Sequence, residues 1–150
     1  MMFKDHLDRR LAEELGQRIR AVDLDLELKM SVFQERTGMA DEQITVGNLR
    51  EAVQQFIAAR NWEVYHTPKN LAMSIAVEAA EIMEHFQWGT VEEGKELVKD
   101  PKKKAEVADE LADVMIYCLS FANSADVDVS EAIVKKLARN ERRFPIAEGR

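Results

Sequence analysis

One cysteine, three prolines, six glycines and three histidines are spread over 150 residues. Cys118 alone can form no intrachain disulfide and leaves a Cys-based zinc site without ligands, which fits a reducing cytoplasm. So few Gly and Pro argue against a strand-rich fold with many tight turns. No apolar run approaches the ~20 residues needed to cross a bilayer, and the segment from Met1 to Arg10 is charged rather than signal-like. We expect a soluble cytoplasmic protein with no membrane partner. Cations are also short: 21 Lys and Arg against 28 Asp and Glu give a net charge of −7. A nucleic-acid binder usually presents a basic face that releases counterions, so nucleic acid is not an expected partner. An anionic small molecule remains compatible where metal ions and a few local cations neutralise it.

The chain is 46% hydrophobic and 33% charged, and Ala, Leu, Glu, Lys and Arg abound. This suits one compact all-α domain. Leu7, Leu11, Leu15 and Ile19 share a stripe and predict a helix from Lys4 to Arg20. From Val22 to Met30 strand-like alternation and a helical face coexist, so the pattern does not decide. Gly38 and Gly47 bracket a polar connection between an N-terminal helical extension, residues 1–41, and a main body, residues 45–146. There Thr45 or Asn48 can cap a first core helix reaching about Asn61, with Asn48 and Glu51 offering a capping box. A second helix is predicted from about Leu71 to Phe86, with Gly89 beyond it, and a short helical linker over Val91 to Lys99. Asp100 and Pro101 open a third core helix to about Asn123. Asp128 and Glu131, a second possible capping box, open a fourth through Arg143 that Pro145 stops.

Glu78 and Glu81 interrupt the apolar run Leu71, Ile75, Val77, Ala79, Ala80, Ile82 and Met83, and an i,i+3 spacing puts both on one face. Glu110 and Asp113 repeat the device among Val107, Leu111, Ala112, Val114, Met115 and Ile116. Four carboxylates converging from two helices repel one another unless protonated or held by cations. Hard oxygen ligands favour Mg²⁺ or Mn²⁺, and two ions about 3.5–4 Å apart suit cleavage of a phosphate ester or anhydride. The competing interpretation is ordinary solvated charge paired with Lys or Arg. Glu106 and Asp109 extend the acidic face and are taken as outer residues. A di-iron carboxylate bundle also gathers inward-facing Glu, but it needs Glu-x-x-His on two helices, and His85 has Ile82 at that offset.

The runs TPKNLAMSIAVEAAEIMEHFQW and VADELADVMIYCLSFANSADVDVSEAIVKKLARNERRFP closely resemble the MazG-like all-α NTP pyrophosphohydrolases, especially the dCTP pyrophosphatase branch. The likeness spans about residues 45–146. It centres on an ExxE, spacer, ExxD pattern, here Glu78-Ala-Ala-Glu81 and Glu110-Leu-Ala-Asp113, with Trp62, His66-Thr67-Pro68-Lys69-Asn70, Phe86-Gln87-Trp88 and Phe144-Pro145 around it. The resemblance implies a MazG-like four-helix bundle core in which the four acidic positions hold Mg²⁺. It also implies attack by water on a nucleoside triphosphate, giving monophosphate and pyrophosphate, and a homodimer or homotetramer with the nucleotide between subunits. Glu78 or Glu81 is the candidate to accept the proton of the water.

Trp62, Trp88 and Tyr117 match positions lining the base pocket in that family, and flat rings can sandwich a base; aromatic residues at helix ends otherwise usually serve packing, which is the expectation for Tyr65. His66 can hydrogen-bond base or phosphate. Lys136 and Asn140, four apart on the fourth helix, match substrate-contacting positions, although a basic stretch near a helix C-terminus is also favoured by the dipole. Asn123-Ser124 departs from dCTP-type relatives, which can carry a basic residue there. The leading expectation is a dCTP or modified-dCTP pyrophosphohydrolase that cleans the nucleotide pool. A broader NTP or phosphoribosyl-ATP type activity, or a non-enzymatic helical oligomerisation module, are the alternatives.

Overall fold

A computed structural model of the chain describes residues 40–146, and the predicted helix over Lys4 to Arg20 and the undecided stretch after it lie outside them. After a single 3₁₀ turn at Ala40–Glu42 come five helices: α1 Val46–Ala59, α2 Pro68–Glu84, α3 Val91–Leu97, α4 Pro101–Ser124 and α5 Val129–Arg143. No strand occurs among the described residues, so the all-α expectation holds. The chain divides into two compact units after Trp62.

In the first unit Thr45, not Asn48, caps α1. Its side chain accepts from the Asn48 N–H at 3.1 Å, and the Asn48 side chain accepts from the Thr45 N–H at 3.1 Å, closing a capping box one turn earlier than the Asn48–Glu51 pairing. The helix ends by a Schellman turn: the Asn61 N–H donates to the Ala58 carbonyl and the Trp62 N–H to the Ile57 carbonyl, both at 3.1 Å, with Asn61 at φ 53°. The Arg60 guanidinium lies 3.6 Å over the Phe56 ring and donates to the Phe56 carbonyl. Ile57 is the buried side chain of this helix.

In the second unit α2 starts at Pro68, three residues before the predicted Leu71. Proline drives the residue before it out of helical geometry, and that extended conformation is the one an N-cap requires. Thr67 adopts φ −78°, ψ 152°, and its hydroxyl accepts from the Asn70 N–H at 3.3 Å. Thr90 and Glu93 form a full capping box on α3, and the bonds to Thr90 hold the Glu93 carboxyl below its ordinary pKa. Asp100 caps α4 through the Lys103 N–H at 2.8 Å, with Pro101 in the first turn as predicted. Asp128 caps α5 through the Glu131 N–H at 2.8 Å.

The helices α2 and α4 pack along each other. Leu71, Leu119, Ser120 and Ala122 are buried, and Leu71 is 2% exposed. Truncating such a leucine to alanine costs about 2–5 kcal/mol. His66, just before the start of α2, lies against Tyr117 in the second half of α4 at one end of the pair. His85, after the end of α2, acts electrostatically on Glu106 and Glu110 of α4 at the other end. The pair is therefore antiparallel, with the carboxylates between. No helix among the described residues is long and apolar enough to cross a membrane.

Candidate active site and metal centre

Each carboxylate pair occupies one helical face, so packing α2 on α4 sets Glu78 and Glu81 against Glu110 and Asp113. One oxygen each from Glu78, Glu110 and Asp113 lies within 4.8 Å of the others. Glu81 stands beside Glu110, close enough for its charge to act on that carboxyl. Glu78 and Glu110 are half-buried; Glu81 and Asp113 are exposed and leave the cluster open on one side.

Partial burial, followed by the charges of Glu81, Asp113 and Glu110, raises the pKa of Glu78 above the ordinary carboxylate value. Burial also leads for Glu110, with the Glu81 and Asp113 charges and the hydrogen bond to Glu81 adding to the rise, and His85 opposing it. A cation among these oxygens would remove the repulsion. The donors are all hard oxygens and carry excess negative charge, so the set fits a divalent ion of the Mg²⁺ or Mn²⁺ type. Glu106 stands apart from the cluster in function. Its carboxylate accepts from Lys103 at 2.7 Å, and that bond holds its pKa down.

A second grouping lies one turn further along α4. The His66 ring stacks on Tyr117 with centroids 6.5 Å apart and planes 22° from parallel, and both residues are half-buried. Glu63 stands three residues before His66, the offset of a Glu-x-x-His pair. Residues 63–65 form a turn outside any helix, so the offset gives no shared helical face.

Trp88, Lys136 and Asn140 stand elsewhere in the second unit, and Trp62 lies in the first. Trp62 forms a T-shaped pair with Phe56, ring centroids 6.0 Å apart and planes at 75°. Trp88 sits in the turn after α2 and is 90% exposed. Beside that turn Phe86, Val91, Gly94 and Val98 line an open groove of about 430 Å³. Lys136 is exposed and Asn140 half-buried on α5. Tyr65, expected to pack, is instead 67% exposed in the turn that precedes α2. Sequence reasoning singled out neither His85 as a neighbour of the cluster nor Asn70 as a contact of the turn. The four-residue step from Glu81 to His85 was the available signal for the first.

The model of the MazG-like family matches residues 73–150, a stretch that contains both carboxylate pairs. The chain belongs to the MazG-like family. Among curated relatives, dCTP pyrophosphatase 1 of Mus musculus is 34% identical over 102 residues, 68% of this chain and 60% of that protein. Its Homo sapiens counterpart is 36% identical over 101 residues, 67% of this chain and 59% of that protein. This MazG-like chain thus matches about 60% of the length of the mouse relative. A solved structure of a pyrophosphatase from Archaeoglobus fulgidus is 40% identical and covers 67% of this chain and 92% of its own, with a TM-score of 0.63.

Proposed function

We propose that this MazG-like chain is a divalent-metal-dependent nucleoside triphosphate pyrophosphohydrolase, with dCTP or a modified dCTP as substrate, acting in nucleotide-pool cleaning in the cytoplasm. The observation that carries the reading is the convergence of Glu78, Glu110 and Asp113 within 4.8 Å from two helices, with Glu81 beside Glu110. The names of the relatives support the substrate class. Residues 45–146 form the catalytic domain in this reading.

Glu78, Glu81, Glu110 and Asp113 hold Mg²⁺, or Mn²⁺ in its place. Bound metal supplies charge neutralisation for the phosphate oxygens and a lowered pKa for water. The chain's own part is to fix the carboxylates on two packed helices and to take up a proton. Glu78 or Glu81 accepts it from the attacking water at a carboxylate oxygen. The anhydride bond between the α- and β-phosphates breaks, water oxygen adds to the α-phosphorus, and pyrophosphate leaves. Trp62, Trp88 and Tyr117 contact the base, and His66, Lys136 and Asn140 hydrogen-bond or neutralise the nucleotide.

A homodimer or homotetramer completes the reading. Leu111 and Met115 on α4, and Ile133 and Leu137 on α5, are four-residue pairs of large apolar side chains left exposed in the single chain. Apolar faces of this kind mark contact surfaces, and a second copy supplies the matching apolar faces.

The deciding experiment incubates the protein with Mg²⁺ and a nucleotide panel and identifies the products. We expect dCMP and pyrophosphate in equal amounts from dCTP. Release of dCDP with inorganic phosphate contradicts the bond assignment, preference for another triphosphate or phosphoribosyl-ATP moves the substrate, and no turnover with either metal leaves a non-enzymatic helical module.

A further inference from the structure

We infer that Asn70 is a positioning residue for Tyr117, acting through the turn before α2 and the ring of His66; the consequence for nucleotide binding rests on the reading proposed above. Thr67 must be extended to cap α2 ahead of Pro68, so the residues before it leave the helical ladder. Apolar burial does not hold them in place: Val64 and Tyr65 are 72% and 67% exposed. Polar bonds do. The His66 N–H donates to the Glu63 carbonyl at 3.2 Å, and the Asn70 side-chain amide reaches back five residues to donate to the Tyr65 carbonyl at 3.0 Å. The backbone N–H of Asn70 is meanwhile held by the Thr67 hydroxyl at 3.3 Å. Asn70 therefore ties the turn to the first turn of α2 on both sides of His66.

The ring so held lies on Tyr117. Tyr117 follows Asp113 by four residues on α4, so it stands on the stripe that carries Glu110 and Asp113, one turn further along. A side chain there is well placed to meet the nucleoside of a molecule whose phosphates lie at the carboxylates. The His66 ring stacked on Tyr117 is one contact that sets its orientation. Releasing the Tyr65 carbonyl loosens the turn that places the His66 ring and so shifts the ring's position on Tyr117. Aspartate in place of Asn70 keeps the size and suits the start of a helix, yet lacks the N–H that the carbonyl needs.

The test labels the whole chain with 3-fluorotyrosine, whose two ¹⁹F resonances are assigned with Tyr65→Phe, since the sequence holds only two tyrosines. Asn70→Asp and Asn70→Ala should move the Tyr117 resonance in the direction given by His66→Ala. Asn70→Asp should do so with an unchanged Tm, which separates positioning from loss of fold. With dCTP each single variant should raise KM about three- to tenfold, the scale of one ring contact, with kcat within about twofold. The Asn70→Asp, His66→Ala double variant should be no worse than the larger single one, because both act through one ring. An unmoved Tyr117 resonance in Asn70→Asp, or KM effects that multiply in the double variant, overturns the inference. If the wild-type chain turns over no nucleotide, the pyrophosphohydrolase reading falls and the ¹⁹F measurement alone decides whether Asn70 orients Tyr117.

Discussion

Glu81 on α2 faces Glu110 on α4, and after partial burial its charge is the next cause that raises the Glu110 pKa. With metal absent, Glu78 and Glu110 both hold protons more tightly in the folded chain than an ordinary carboxyl does. Between the ordinary carboxylate pKa and the raised values the native state binds more protons than the unfolded one, so these groups make stability fall as pH rises. The decline ends above the raised values, where both states have lost the protons. Metal-free protein should therefore show a Tm that drops across this window. Saturating Mg²⁺ should raise Tm most at the high-pH end, where the carboxylates are charged. A metal effect of equal size on both sides of the window would contradict it.

Replacing one carboxylate by its amide tests the four positions separately. Glu78→Gln, Glu81→Gln, Glu110→Gln and Asp113→Asn should each lower kcat/KM by at least ~10²-fold, the scale of losing one electrostatic contributor. Each amide also removes a charge from a repelling group, so metal-free Tm should hold or rise. Wild-type kinetics in all four would remove the proposed site.

The helix starts show how much of this was legible. Asp100-Pro101 and Asp128 announced α4 and α5, since a side-chain oxygen ahead of an apolar run has one favourable use. Thr67 was obscured by Pro68. The proline reads as a break for the residue before it, and here that break is the cap itself. Helix ends were blurred for a different reason: Asn61 and Asp126 take the left-handed turn that glycine usually marks. The carboxylate pairs were visible as charge interrupting apolar periodicity, because side-chain direction on a helix follows from spacing alone. The stack of His66 on Tyr117 was not, since 51 residues separate them in the numbering and only the packing of α2 on α4 unites them.

The α4 terminus gives a stability test of its own. The Asp126 N–H donates to the Asn123 carbonyl and the Val127 N–H to the Ala122 carbonyl, a Schellman turn with Asp126 at φ 50°. A non-glycine residue is strained there, and glycine relieves the Cβ clash. Asp126→Gly should stabilise the chain by about 0.5–1 kcal/mol, net of the extra freedom of the unfolded glycine, and the β-branched Asp126→Val should destabilise it. Denaturation midpoints that order the variants the other way would show that the Asp126 side chain contributes more than its backbone strain costs.

Trp88 provides the optical test of the proposed base pocket. It is 90% exposed, so its emission in the free protein should lie near that of indole in water. Trp62 is 43% exposed and in a T-shaped pair with Phe56, a drier setting, and a Trp62→Phe variant leaves Trp88 as the sole reporter. A base stacked on an indole face replaces water there, and such stacking contributes ~1–3 kcal/mol per base. Saturating nucleotide with Mg²⁺ should then shift or quench the Trp88 emission. Trp88→Ala should raise KM by roughly tenfold while metal binding stays intact, because an indole offers no hard oxygen ligand. Unchanged emission in the single-tryptophan variant, together with wild-type KM for Trp88→Ala, would assign Trp88 to a contact between subunits and take it out of the nucleotide site. A response to a purine triphosphate but not to dCTP would keep the ring in the site and change the substrate.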